Sequence, residues 1–166
     1  VSLNGLTSAN ESTVIVENSH VFFPDISVQT FIEIYRLPSE YNEKIFCSEL
    51  KNAMYQVNDK LTDFVLILQS VVVAETLEAF DSGLIDVYKS AVMHYARNAL
   101  MKYFETVNAK KAADIQAERA EAIRTPWIAD ANNLIDIISK GIMDVAEGGG
   151  ALPKSGSASG FRASLI

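Results

Sequence analysis

The spacing of apolar and polar positions divides this chain into a polar lead, a helical middle and a Gly/Ser-rich end. Residues 1–19 are dominated by Ser, Thr, Asn and Gly and offer only Val14-Ile15-Val16 as an extended stretch, which predicts an arm with little structure of its own. The arm runs into His20-Val21-Phe22-Phe23-Pro24-Asp25, where Pro24 biases Phe23 toward an extended backbone. Asp25 or Ser27 is placed to cap a first helix over residues 27–36. Pro38 ends that helix and Ser39 is placed to cap the next. Ile45, Phe46, Leu50, Ala53, Met54, Val57, Leu61 and Phe64 then keep helical spacing, which predicts one long helix over residues 40–69.

Val71-Val72-Val73 is β-branched, and residues 71–81 read as a loop. Asp81-Ser82-Gly83 signals a turn, after which Leu84, Val87, Tyr88, Ala91, Tyr95, Ala99 and Phe104 trace one face of a third helix ending near Val107. A fourth helix is expected over residues 110–147, with Trp127, Ala131, Leu134, Ile138, Ile142 and Val145 on one stripe. Pro126 inside it predicts a kink or a restart, with Thr125 as the new cap. The pattern adds up to an all-α small helical bundle with an extended N-terminal arm and a flexible C-terminal tail. The expected division is an arm over 1–26, a bundle domain over 27–147, and a linker with an apolar docking tail over 148–166.

Composition narrows the function. With 166 residues, 49% hydrophobic and 21% charged, the chain suits one ordinary core. The net charge of −7 argues against a dedicated nucleic-acid binder, which needs clustered Lys and Arg on its binding face. The longest apolar candidate, residues 64–74, is too short to span a membrane and is interrupted by Gln69 and Ser70. No Lys or Arg precedes an apolar run in residues 1–6, so the expectation is a protein made and used without export.

Candidate chemistry is sparse. Gly148 to Ser155 imitates a phosphate-binding loop, but Pro153 stands where its second glycine belongs, a helix precedes it and no helix follows. His20 and His94 lack the Glu-x-x-His or His-x-x-x-His spacing of a metal site. Cys47, the only cysteine, sits beside Glu43 and Glu49, a poor setting for a reactive thiolate. Glu75, Glu78 and Asp81 read as an acidic solvated loop, and Asp114, Glu118, Arg119 and Glu121 as a mixed charged helical face. No catalytic residue, metal site or cofactor is expected.

The order of motifs does carry a likeness. A polar arm, Phe22-Phe23-Pro24-Asp25, a long helix with Met54 and Asn58-Asp59-Lys60-Leu61, then Val87-Tyr88-Lys89-Ser90-Ala91-Val92 and Leu100-Met101-Lys102-Tyr103-Phe104 follow one another. This order resembles the head completion proteins of P2-like contractile-tailed bacteriophages, from about Phe22 to Val145. The chain departs from the familiar pattern in a more apolar segment over 65–73, in Pro126, and in a longer, glycine-rich linker after residue 147.

The resemblance implies a structural virion protein that completes the DNA-filled head. It implies an adaptor ring at the head–tail junction, synthesised in the host cytoplasm, whose partners are the portal protein, a tail completion or terminator protein and neighbouring copies of itself. Channel DNA would be met without sequence specificity, and no membrane would be involved. By the same resemblance Phe161, Arg162, Leu165 and Ile166 are the residues expected to dock on portal. Phe22, Phe23 and Pro24 are either neighbour contacts or a local hydrophobic clip before the first helix.

The physics of the tail favours docking independently. Residues 148–160 span about 20 Å on average as a Gly/Ser linker and about 45 Å at full stretch. Burying Phe, Leu and Ile beyond it contributes roughly 5–8 kcal/mol before ordering costs. The alternative that composition leaves open is a cytoplasmic helical regulatory or adaptor module that captures one protein partner through the same tail.

Overall fold

A computed structural model describes residues 14–37, 42–108 and 113–148. In chain order its elements are β1 (Ile15–Val16), β2 (Ile26–Ser27), α1 (Val28–Tyr35), α2 (Glu43–Val71), α3 (Leu77–Phe80), α4 (Leu84–Asn108) and α5 (Ala113–Glu147). The three long helices, α2, α4 and α5, pack on one another and form the bundle. Tyr95 bonds Asn132, and a Cβ placed on Gly141 would lie 3.6 Å from Leu84 Cδ1, so α5 runs antiparallel to α4. Asn58 meets Tyr88, and a short connection joins α2 to α4, so α2 is also antiparallel to α4. The bundle is up-down-up.

Each long helix is stable because its apolar positions share one face. On α2 the buried set is Phe46, Leu50, Ala53, Met54, Val57, Asn58, Leu61, Val65 and Leu68, spaced by threes and fours apart from two adjacent pairs. Tyr88, Ala91, Val92, Ala96 and Leu100 of α4 and Ile138 and Ile142 of α5 complete the core and are fully enclosed. Fully burying aliphatic and aromatic side chains of this kind contributes about 1.5–3 kcal/mol each, far more than helix propensity.

The first helix begins as the sequence predicts. Ser27 caps it, its hydroxyl accepting from the Thr30 amide at 3.3 Å. It ends on Arg36 in the left-handed conformation, φ 48°, whose amide donates to Glu33 and is followed by a Leu37 amide donating to Ile32.

Four expectations change. The long helix starts at Glu43 behind an Asn42 cap, whose side chain accepts from the Lys44 amide at 2.9 Å; Ser39 and Glu40 lie outside the described residues. Residues 71–81 are not all loop: Thr76 caps the single turn α3, and Leu77 and Phe80 are buried beneath it. The apolar contacts of that turn, rather than its length, hold it helical. Pro126 does not restart the last helix, which continues through it from Ala113 to Glu147 with no new cap at Thr125. Pro126 is exposed, so water can satisfy the carbonyl its ring leaves without a donor.

The fourth change concerns the arm. Val16, Phe22, Phe23 and Ile26 belong to the same buried cluster as the helices. β1 and β2 pair antiparallel, Val16 opposite Ile26 and Ile15 opposite Ser27, and the Val28 amide donates to Val14. Residues 14–26 are therefore built into the bundle domain, because two aromatic rings and two aliphatic side chains in this stretch are worth more inside than in water.

Candidate docking surfaces

Residues from three of the motifs that carried the family likeness, Phe23, Asn58 and Tyr88, meet in one place. Between β1 and β2 the chain makes a loop closed by Asn18, whose amide donates to Asp25 Oδ1 at 2.7 Å and whose side-chain nitrogen donates to the Pro24 carbonyl at 3.2 Å. The same nitrogen donates to the Tyr88 hydroxyl at 2.7 Å, which donates to Asn58 Oδ1 at 2.6 Å, and Asn58 Nδ2 returns a bond to Asn18 Oδ1 at 2.8 Å. Three neutral side chains from the loop, α2 and α4 thus form a closed ring in which each group both donates and accepts. Such a ring suits a buried site because it leaves no polar atom of the three without a partner. Burial pushes the Tyr88 hydroxyl above its usual value, so it stays protonated and keeps donating.

Phe22 and Phe23 seal this network from one side. Phe23 stacks on Tyr88 with centroids 4.7 Å apart and planes 6° from parallel, and Phe22 meets Phe23 edge-on at 5.2 Å. The Phe22 carbonyl accepts from the Leu77 amide at 2.7 Å, which docks α3 on the loop. Phe22 and Phe23 are 2% and 4% exposed, so in this fold the pair acts as a clip inside its own chain and only Pro24 reaches the surface.

A second cluster joins α1, α4 and α5. The Arg97 guanidinium lies between two rings, 5.1 Å from the centroid of Tyr35 and 4.8 Å from that of Trp127, and donates to the Tyr35 carbonyl at 2.9 Å. His94 packs edge-on against Trp127 at 4.9 Å and Tyr35 at 5.9 Å. Arg97 Nε and His94 Nδ1 are enclosed and have no hydrogen-bond partner. Burial and the neighbouring Arg97 hold His94 below its ordinary value against the opposing pull of Asp130. Burial likewise pushes the Tyr35 phenol up to about 12, partly offset by Arg97.

Beyond these clusters apolar side chains remain at the surface. α2 exposes Leu66, Ile67 and Val71 near its C-terminal end, followed by Val73 in the connection to α3. A groove of about 330 Å³ opens beside the loop, with Phe22 and Phe23 in its wall, Val21, Pro24 and Ile85 around it, and the carboxylates of Asp25 and Glu78 on its lining. Phe161, Arg162, Leu165 and Ile166, the residues expected to dock on portal, lie outside the described residues. Asn18 and Asn58 were not singled out for a role by sequence reasoning. The only signal was the polar position that Asn58 occupies within the buried spacing of α2.

Among the described residues no group of three or more His, Cys, Asp or Glu side chains is arranged to hold a metal ion, and no helix is long and apolar enough to cross a membrane. The Cys47 thiol is raised by burial and by Glu43, which disfavours the thiolate. Glu75 and Glu78 are exposed, and Asp81 accepts from the Gly83 amide at 2.8 Å, a turn-forming bond rather than an acid–base arrangement.

Comparison with known proteins bears on the likeness read from these motifs. No curated protein and no solved structure matches the chain. The family profile described as phage head completion protein (GPL) matches residues 16–144, a span that starts in β1 and ends in the last turns of α5 and so takes in the whole bundle with its clip. The chain belongs to the phage head completion protein family and is a structural component of the phage head.

Proposed function

We propose that this chain is an adaptor subunit at the head–tail junction, forming a ring of identical copies between the portal and the tail. The family match over residues 16–144 is the observation that carries this reading. Head completion requires a protein that contacts the filled head on one side and admits the tail on the other, and a ring built from head-to-tail contacts provides both faces. The exposed Leu66, Ile67, Val71 and Val73 supply apolar area for contacts of that kind. Phe161, Arg162, Leu165 and Ile166 are the portal-docking residues in this reading, and repetition around the ring multiplies a weak single contact. The tail completion protein binds the opposite face, and DNA passes through the channel without base-specific contacts.

The test is capture on purified portal rings, comparing the full chain with a chain ending at Gly150. The expected result is ring-shaped density on portal for the full chain and at least a tenfold weaker capture for the shortened one, whose helical circular dichroism and melting remain close to those of the full chain. Absence of binding by either chain overturns the adaptor reading. Equal binding by both moves the contact from the tail to the helical body.

A further inference from the structure

The groove beside the clip has a candidate occupant in the same chain. Its accessible apolar surface comes from Val21, Pro24 and Ile85, with the nearly enclosed Phe22 and Phe23 behind them, and its lining also holds Asn18, Thr76 and the acidic Asp25 and Glu78. At about 330 Å³ it has the capacity of a small ligand-sized cleft, enough for one aromatic side chain and its neighbours. Its chemistry asks for an apolar group next to a cation. The segment Phe161-Arg162-Ala163-Ser164-Leu165-Ile166 has that composition, with an aromatic residue directly followed by the only charged side chain after Lys154.

Topology brings the two within reach. Ile85 of the groove wall follows Leu84, whose Cδ1 would lie 3.6 Å from a Cβ placed on Gly141 of α5. From Gly141 to Glu147 the helix advances only about 9 Å, so α5 ends within reach of Ile85 on the groove lining. A Gly/Ser-rich stretch of twelve residues, the number that follow Gly148 up to Gly160, spans about 20 Å on average. A tether of that length holds its end at an effective concentration of about 1 mM or more, well above that of a second copy at micromolar protein.

We propose that in the free chain the segment Phe161–Ile166 docks in this groove of its own bundle, Phe161 against the apolar wall and Arg162 facing Asp25 and Glu78. The inference rests on the reading of that segment as a docking element and adds where it resides before portal is met. An acceptor on portal then has to compete the segment out of the groove, so the free subunit does not present its apolar tip to solvent.

Amide chemical shifts of the full-length chain test this, recorded for wild type, Phe161→Ser, Glu78→Arg and the double variant Glu78→Arg with Arg162→Glu. The amides of Val21 and Ile85 are expected to move in Phe161→Ser and in Glu78→Arg, to return toward wild-type positions when Arg162→Glu is added to Glu78→Arg, and to be unchanged over a tenfold dilution. Val21 and Ile85 unmoved in Phe161→Ser overturn the proposal. Shifts that fade on dilution overturn it too, because the occupant is then a second copy. Tail-dependent capture on portal rings by a chain that shows no groove shifts leaves the adaptor reading in place and removes this one.

Discussion

Two side-chain clusters fasten the N-terminal part of this protein to its long helices, and they do so by opposite means. The Asn18–Asn58–Tyr88 ring is neutral and closed, each side chain giving and receiving a hydrogen bond, with Phe23 stacked on its tyrosine. The Arg97 cluster is cationic and open, a guanidinium between two rings with Nε and the neighbouring His94 Nδ1 left without partners. A closed neutral network in a core is costly to break, because removing one member strands the others. The half-buried Arg97 cation holds less strongly, because its removal also removes the Nε that never had a partner. The difference identifies the clip as the firm attachment and the Arg97 cluster as the adjustable one.

The largest expected effect tests the firm side. Phe23→Ala should destabilise by about 3–5 kcal/mol in urea unfolding, since it empties a buried ring site against Tyr88. Trp127→Ala, at a half-buried ring, should cost clearly less; equal losses would break the contrast between the clusters.

Tyr88→Phe comes next, at about 2 kcal/mol, for it leaves Asn58 Oδ1 and Asn18 Nδ2 each short of a partner. Combined with Asn58→Ala its cost should be less than additive, and strict additivity would show that the ring does not act as a unit. Arg97→Met, which keeps the volume between Tyr35 and Trp127 and discards the charge, should cost only about 1 kcal/mol. A loss as large as that of Phe23→Ala would reverse the ranking.

The smallest effect is a pH dependence confined to the second cluster. His94 is held below its ordinary value of 6.5 in the fold, so the unfolded chain takes up a proton first as pH falls through 6.5. Stability from this residue is fully present above that value, declines as pH drops toward the lower folded value, and then levels off. Thermal unfolding of wild type and His94→Gln between pH 7.5 and 5 measures it, the variant being expected to show a shallower decline. The Asn18–Asn58–Tyr88 ring contributes nothing in that range, because no member of it titrates there.

The helices were legible because each carries enough apolar residues at helical spacing to fix both its existence and its inward face. α2 and α4 end within a few residues of where their patterns stop, and the Ser27 cap was readable from the hydroxyl ahead of an apolar run. The short α3 was not legible, since a four-residue helix shows no period and exists only because Leu77 and Phe80 find a floor beneath them. Phe22 and Phe23 were visible as a possible clip, yet the choice between clip and exposed contact depended on Tyr88, some 65 residues along the chain. The polar lead misled for the same reason: Asn18 looks like a loop residue until its partners on α2 and α4 are known.

By itself the sequence determined the all-α class, the long helices with their buried faces, and the order of motifs that places the chain among phage head completion proteins. These are properties of local spacing and of short segments, and neither needs a distant contact to be read. Only the tertiary structure decided that Val16, Phe22, Phe23 and Ile26 join the core, that Asn18, Asn58 and Tyr88 close a ring, and that a groove beside the loop is lined by Asp25 and Glu78. Those features arise from residues far apart in the chain meeting at the same point, and hydrophobic periodicity does not encode which distant side chain will be the neighbour.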